Sequence, residues 1–304
     1  MENKLVSVRV VSYNSAQTIL DTLESIRKQT YQNIELIVSD DCSKDNTVEL
    51  VYNWLEANKS RFVRTELITV PFNTGTSANV NRSIKACHGE WIKGIAADDI
   101  LFPECIELCM ELVSRDSAIE WLVGKSKKYI DSFEEKNIIT DDSAYTSERI
   151  SILNGTNATQ RKSIVKFNFI EAPAVFIKTE LLREVGGCNE KYSLLEDWPL
   201  YKKLIFAGHK CYFFDEYIVG YRKSDNSMFN VKTKLFNYGY VKSKYQFVSC
   251  ELYSIHNVFY KINNELHFKL CQIMQNLNMN NSKIINRYIY MVFSKTIDII
   301  TRNH

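Results

Sequence analysis

Trp91-Ile92-Lys93-Gly94-Ile95-Ala96-Ala97-Asp98-Asp99 is an apolar run that ends in two adjacent carboxylates and follows a helical stretch closing at Gly89-Glu90. The run has the length and composition of a buried strand, and the acids fall at its carboxyl end. A strand that delivers adjacent carboxylates to a sheet edge makes a small hard-cation site, suited to holding Mg²⁺ or Mn²⁺ against phosphate oxygens. Taken alone, such a pair also reads as loop carboxylates or a helix cap.

Working outward, the same motif of strand, polar end and helix recurs. Residues 5–12 are rich in valine and end at Tyr13-Asn14; apolar residues then fall at Ala16, Ile19, Leu20, Leu23 and Ile26, with Asn14 or Ser15 placed to cap a helix. Residues 34–39 form a second strand ending at Asp40-Asp41, followed by a helix with Val48, Val51, Trp54 and Leu55 on one face. Strand 67–70, helix 77–86 and strand 91–95 complete the series. Four strands alternating with helices predict a parallel sheet with right-handed crossovers. In such sheets the ligand lies beyond the carboxyl ends of the strands, so Tyr13-Asn14, Asp40-Asp41, Asn73-Thr74-Gly75 and Asp98-Asp99 should converge on one crevice. Each group by itself is what turns select; four together favour a site.

After Pro103, which suits the first turn of a helix over 104–114, the alternation breaks down. Residues 124–170 read as irregular, with a short helix near 148–153. A strand over 173–178, helices over 179–185 and 196–207, and short strands over 210–214 and 217–221 follow. Beyond 228 the pattern is mainly helical. The expected organisation is an α/β domain over 1–228, with a ligand-binding half (1–103) and a second half (104–228), then a helical segment over 229–304.

The 304 residues carry 38 basic and 36 acidic side chains, which gives no electrostatic case for nucleic acid as a partner. The tail from Phe229 to His304 is nevertheless +7 and the remainder −5. A basic, aromatic tail suits peripheral contact with an anionic membrane surface, and reads equally as a solvated helical face. The eight cysteines show no metal spacing and fit reduced core thiols of a cytoplasmic protein. No signal peptide is expected before the first strand, and no apolar stretch reaches the length of a membrane span.

Taken together, VSVRVVSYN (6–14), QTYQNIELIVSDDCSKDNT (29–47), NTGTSANVNRSIKACHGEWIKGIAADDILFP (73–103), VFIKTELLREVGGCNEKYSLLEDWPLYKKLIFAGHK (175–210) and VGYRKSDNS (219–227) resemble the inverting family-2 glycosyltransferases of bacterial surface-polysaccharide synthesis, which have the GT-A fold. The likeness covers about three quarters of the chain and excludes 229–304. It implies a GT-A, mostly parallel α/β sheet flanked by helices, a nucleotide-sugar donor such as a UDP-sugar, a saccharide or lipid-linked saccharide acceptor in capsule or O-antigen synthesis, and a Mn²⁺ or Mg²⁺ cofactor. By resemblance Tyr13, Asn14, Asp40 and Asn73 would line the nucleotide-sugar site, Tyr13 packing on the base that Asp40 contacts. Gly75 and Asn81 match positions that shape the donor pocket. Asp98 would be the metal-ligating carboxylate, with Asp99 beside it as a second candidate metal ligand. Arg222 matches a basic position on a loop that closes over the diphosphate. Asp197 would be the general base and Glu196 would orient the acceptor or a loop; without the resemblance, these two acids read as helix N-terminal residues favoured by the macrodipole. Two departures stand out: Ala96 occupies the first position of the family's Asp-x-Asp motif, and Ser224 replaces a common histidine.

A nucleotidyltransferase would also use a parallel sheet and a carboxylate-bound cation, but it predicts a glycine-rich loop with a basic residue where this chain has Tyr13-Asn14-Ser15-Ala16. A catalytically degenerate homologue acting as a nucleotide-binding or partner-binding subunit, alone or in an oligomer, is the reading that Ala96 and Ser224 motivate.

Overall fold

The computed structural model describes residues 3–139, 145–223 and 233–302. Two compact units emerge, Met1–Glu190 with Glu196–Arg222, and Lys191–Leu195 with Lys223–His304.

In the first unit, β1 (Val6–Ser12), β2 (Ile34–Asp40), β3 (Arg64–Ile68) and β4 (Trp91–Ala96) alternate with α1 (Ile19–Arg27), α2 (Thr47–Asn58) and α3 (Thr76–Ala86). They pair in parallel, in the order β3-β2-β1-β4. The apolar pattern explains the arrangement: Val6, Val8 and Val10 of β1, Leu36 and Val38 of β2, and Ile19, Leu23 and Ile26 of α1 are fully buried. Each such side chain contributes about 1.5–3 kcal/mol relative to exposure.

The short β5 (Ile100–Leu101) and α4 (Cys105–Arg115) lead into β6 (Trp121–Ile130), α5 (Ser147–Asn154), α6 (Asn157–Ile164), β7 (Val175–Lys178), α7 (Thr179–Glu184), α8 (Asp197–Ala207) and β8 (Tyr212–Lys223). β7 joins β4 antiparallel, β6 joins β7, and β8 pairs β5, extending the sheet to eight strands in the order β3-β2-β1-β4-β7-β6-β8-β5. The sheet is therefore mixed, with β4 as the junction between its parallel and antiparallel parts.

Several expected boundaries are corrected. β3 lies at 64–68 rather than 67–70, because its alternation runs through the polar Arg64 and Glu66. Residues 121–130, mostly assigned to an irregular stretch, form a ten-residue strand, and 157–164 form α6. The two short strands expected over 210–221 are one continuous strand. Neither Asn14 nor Ser15 caps α1; Thr18 precedes the helix without a side-chain bond to it. Asn14 is instead left-handed at φ 51, and its side-chain oxygen accepts from Lys44 N at 2.7 Å, clamping the loop after β2.

The second unit is helical: α9 (Tyr238–Phe247), which continues into a π-helical turn, α10 (Val258–Asn276) and α11 (Ile284–Arg302). α10 packs on both α9 and α11. Among the described residues, no helix is long and apolar enough to cross a membrane.

Candidate active site

The parallel register brings the expected strand ends to one edge. Ser12 stands opposite Asp40 and Val11 opposite Ala96, while Ala97 N donates to Val11 O at 3.1 Å and Asp41 N to Ser12 O at 3.0 Å. Tyr13, half exposed, and Asn14 leave β1 at this edge, and Asn73 is exposed on the loop before α3.

Asp40 and Asp41 are held inward. Asp40 accepts from Ser12 Oγ at 2.9 Å, and from Ser43 N and Ser43 Oγ at 2.8 and 2.5 Å. Asp41 accepts from Thr74 N, Thr74 Oγ1 and Gly75 N, and pairs with Arg82 at 2.7 Å. Burial pushes the Asp41 carboxyl up, but these bonds outweigh it and hold it below its ordinary value. The loop closes on Asp41 because Gly75, at φ +89, turns its amide toward the carboxylate. Asn81, the other expected pocket residue on α3, is spent on the 187–190 turn: it donates to Cys188 O and Glu190 Oε1 and accepts from Cys188 N.

The two acids after β4 differ. Asp99 is 1% exposed; Oδ1 accepts from Arg222 N at 2.9 Å, and its carbonyl accepts from Thr22 Oγ1 at 2.7 Å. Burial, and then the charge of Asp98, push its carboxyl well above the ordinary range. As placed, it anchors β8 through Arg222 N. Asp98 is only half-buried, and no donor from another described residue reaches its carboxylate; burial raises it, with Arg222 opposing. Arg222 lies within β8 rather than on a closing loop. Its guanidinium is consumed internally: Nε donates to Asp98 O at 2.8 Å, Nη1 to Asp131 O at 2.5 Å, and Nη2 pairs with Asp21 at 2.6 Å, over the face of Phe133. Its described role is to hold the Asp98-Asp99 turn. Ser224 lies outside the described residues.

Glu196 and Asp197 open α8. Asp197 accepts from Asn168 Nδ2 at 2.8 Å and from Trp198 N at 2.7 Å, and the Trp198 indole donates to Ile164 O at 2.6 Å, fixing the turn. Burial, and then Asp197, push Glu196 up to about 7, with Arg9 opposing; burial likewise raises Asp197 against its two hydrogen bonds. Because β7 runs antiparallel to β4, the segment entering β7 does so beside the carboxyl end of β4. The buried Lys93 ammonium pins it there, donating to the carbonyls of Pro173, Val175 and Gly94. Asn168, which holds Asp197, lies five residues before Pro173 on the chain leading into this segment.

Four residues of this arrangement escaped the sequence reading: Asp21, Arg9, Lys93 and Asn168. Arg9 and Lys93 carry a signal, each being the one charge inside an otherwise apolar strand. The Arg9 guanidinium lies flat on Gly94, its register partner; a Cβ there would fall 2.6 Å from Arg9 Nη2. Arg9 Nε is buried without a partner. Asp21 and Asn168 give no local signal, since their partners are 201 and 29 residues away.

A divalent cation fits this edge only in part. Among the described residues no cluster of three or more His, Cys, Asp or Glu could enclose a metal. Asp98 offers one free carboxylate, and Mg²⁺-type sites are commonly completed by water and substrate phosphates.

The glycosyl transferase family 2 model matches residues 7–179. Glycosyltransferase GlyG of Streptococcus pneumoniae is 28% identical over 238 residues, 77% of this chain and 75% of GlyG. UDP-Glc:alpha-D-GlcNAc-diphosphoundecaprenol beta-1,3-glucosyltransferase WfgD of Escherichia coli is 33% identical over 124 residues, 41% of this chain and 46% of WfgD. The fold is similar to that of S. aureus TarS 1–349 in complex with UDP-GlcNAc, with a TM-score of 0.61 at 17% identity, covering 96% of this chain and 80% of that one. With strands, polar edge and family model coinciding over more than half of its length, the chain belongs to glycosyl transferase family 2.

Proposed function

We propose that this glycosyltransferase moves a sugar, with inversion, from a UDP-sugar to a hydroxyl of a saccharide or lipid-linked saccharide during assembly of a bacterial surface polysaccharide, in the cytoplasm. The observation that carries the reading is the contrast between Asp98, whose carboxylate receives no donor from another described residue, and Asp197, a carboxylate held by Asn168 at the head of α8. UDP as the carrier and a lipid-linked acceptor are supported by what WfgD and TarS are named for. A cytoplasmic setting is supported by eight unpaired cysteines.

In this scheme Tyr13 stacks on the base, and Asn14 and Asn73 line the donor site. Asp98 would hold the divalent cation, Mn²⁺ or Mg²⁺, which when bound would supply charge neutralisation for the leaving diphosphate. Asp197 takes the acceptor hydroxyl proton as the new glycosidic bond forms at the anomeric carbon and the bond to the diphosphate breaks, releasing UDP. Asn168 keeps the Asp197 carboxylate aimed, and Glu196 tunes its basicity. Asp40 and Arg222, both wholly engaged inside the protein, shape the loop beneath the base and the turn that presents Asp98. Asp99 supports that turn by accepting from Arg222 N.

The test is a panel of nucleotide-sugars assayed for UDP release with Mn²⁺, with and without a lipid-linked saccharide. Acceptor-stimulated release that disappears in Asp98→Ala and in Asp197→Asn is expected. Calorimetry showing no UDP binding at millimolar ligand would instead favour the degenerate-homologue reading that Ala96 raises.

A further inference from the structure

The last helix of the second unit turns a mixed row inward and an apolar row outward. Along α11, Asn286 is buried, Ile289, Tyr290 and Ile297 are partly buried, and Asp298 accepts from His267 at 3.1 Å and from Asn263 at 3.2 Å, with Asn263 also donating to Thr301 at 2.6 Å. The opposite row, spaced four, four, three and four residues apart, is Ile284, Tyr288, Val292, Lys295 and Ile299. Ile284 is 87% exposed, Ile285 66%, Tyr288 62% and Ile299 64%. An apolar stripe of this length facing water is what an interaction surface looks like.

Charge decides what covers it. Lys283, Arg287 and Lys295 are exposed along the helix, whereas its single acid, Asp298, is bound inward by α10. A second copy packed face to face would cover Lys295 within the apolar row, with no acid on that row to compensate it. An anionic lipid surface satisfies both features: acyl chains take the apolar row, and headgroups take the cations, which reach them on flexible stems. The helix is 19 residues long yet falls short of the apolarity needed to span a bilayer, so it would lie in the interface plane.

We propose that α11 is an interfacial helix that docks the protein on an anionic lipid surface through the row Ile284, Tyr288, Val292 and Ile299, with Arg287 and Lys295 on the headgroups. The experiment is flotation of the full chain with phosphatidylcholine vesicles, with and without phosphatidylglycerol. Wild-type protein should float with the anionic vesicles only and lose binding as salt rises. Val292→Glu with Ile299→Glu should lower partitioning roughly tenfold or more, and Arg287→Glu with Lys295→Glu should remove the preference for phosphatidylglycerol. Far-UV circular dichroism checks that these outward substitutions leave the helices formed. Wild-type protein left at the bottom with anionic vesicles overturns the proposal whatever the variants do. So does a dimer by light scattering that Val292→Glu dissociates, since the face would then belong to a second copy. None of these readouts needs turnover, so they stand apart from the outcome of the UDP-release assay.

Discussion

Two sets of inward carboxylates in the first unit behave oppositely. Glu35 and Asp41, on and just after β2, are fully supplied with donors. Glu35 takes Ser7 Oγ, the amides of His88 and Gly89, and Arg64; Asp41 takes Thr74, Gly75 and Arg82. For both, burial raises the carboxyl and the donors overcome it, so each ends below its ordinary value. Asp98, after β4, and Glu196 and Asp197, at the head of α8, are half-buried with fewer donors, and all three end raised. The first set is ionised architecture. The second set is costly to ionise in the bare protein, a pattern in keeping with the chemistry proposed above.

The sharpest break of this contrast is to neutralise one member of each set. Asp197→Asn should lower acceptor-dependent UDP release about 10²–10⁴-fold, the range a positioned base supplies. Its melting temperature should be unchanged or higher, because a raised carboxyl is removed. Full activity would take Asp197 out of the proton-accepting role. Asp41→Ala should do the reverse, costing about 3–5 kcal/mol of stability because Arg82 is left without its partner. Urea unfolding reads it, and a loss confined to activity would show that Asp41 had been misassigned to architecture.

pH separates the sets more gently. Asp41 has a depressed carboxyl, so its contribution is present above about pH 4, its unfolded value, and is lost as pH falls through its folded value. Glu196 has a raised carboxyl: the folded state holds a proton that the unfolded state has released between about pH 4 and about 7, so stability falls as pH rises across that window. Glu196→Gln should remove this slope. It should also move the rising limb of the activity profile to lower pH, since Asp197 then titrates alone instead of sharing the proton that the pair keeps up to about pH 7. An unmoved limb would mean that the two acids do not titrate together.

How much of this was legible depended on the range of the interaction. The parallel half could be read because each strand and helix announces itself within about ten residues, and the apolar alternation in VSVRVVS and IELIVSD survives the embedded Arg9 and Glu35. β6 was missed because Lys125, Ser126, Lys127 and Lys128 look like loop, although Lys125 and Lys127 lie over the ring of Tyr217 and Lys125 pairs with Asp215 of β8. α6 has little apolar content; its one local mark is Thr156, whose side chain accepts from Thr159 N as a cap. The site residues showed themselves as strand ends, but which carboxylates are satisfied is decided by donors far away in sequence: Arg222 for the Asp99 turn, Arg82 for Asp41, Asn168 for Asp197. No local pattern predicts that division.

Arg9 tests the contrast from the cationic side, because it belongs to neither set. It crosses Gly94 toward the acids at the head of α8, opposing the rise of Glu196, yet its Nε makes no bond. Gly94→Ala would put a methyl group 2.6 Å from the guanidinium, whose flexible end can give way, so the cost should be about 1–3 kcal/mol. Arg9→Ala in the same chain should recover most of that loss, which a double-mutant cycle by urea unfolding would register as a coupling of about 0.5–3 kcal/mol. Arg9→Ala alone should push the Glu196 carboxyl higher still, so the rising limb of the activity profile should shift to higher pH, opposite to Glu196→Gln. Independent, additive effects of Gly94→Ala and Arg9→Ala would show that the glycine is there for another reason. A limb that ignores Arg9 would show that its charge does not reach the acids of α8.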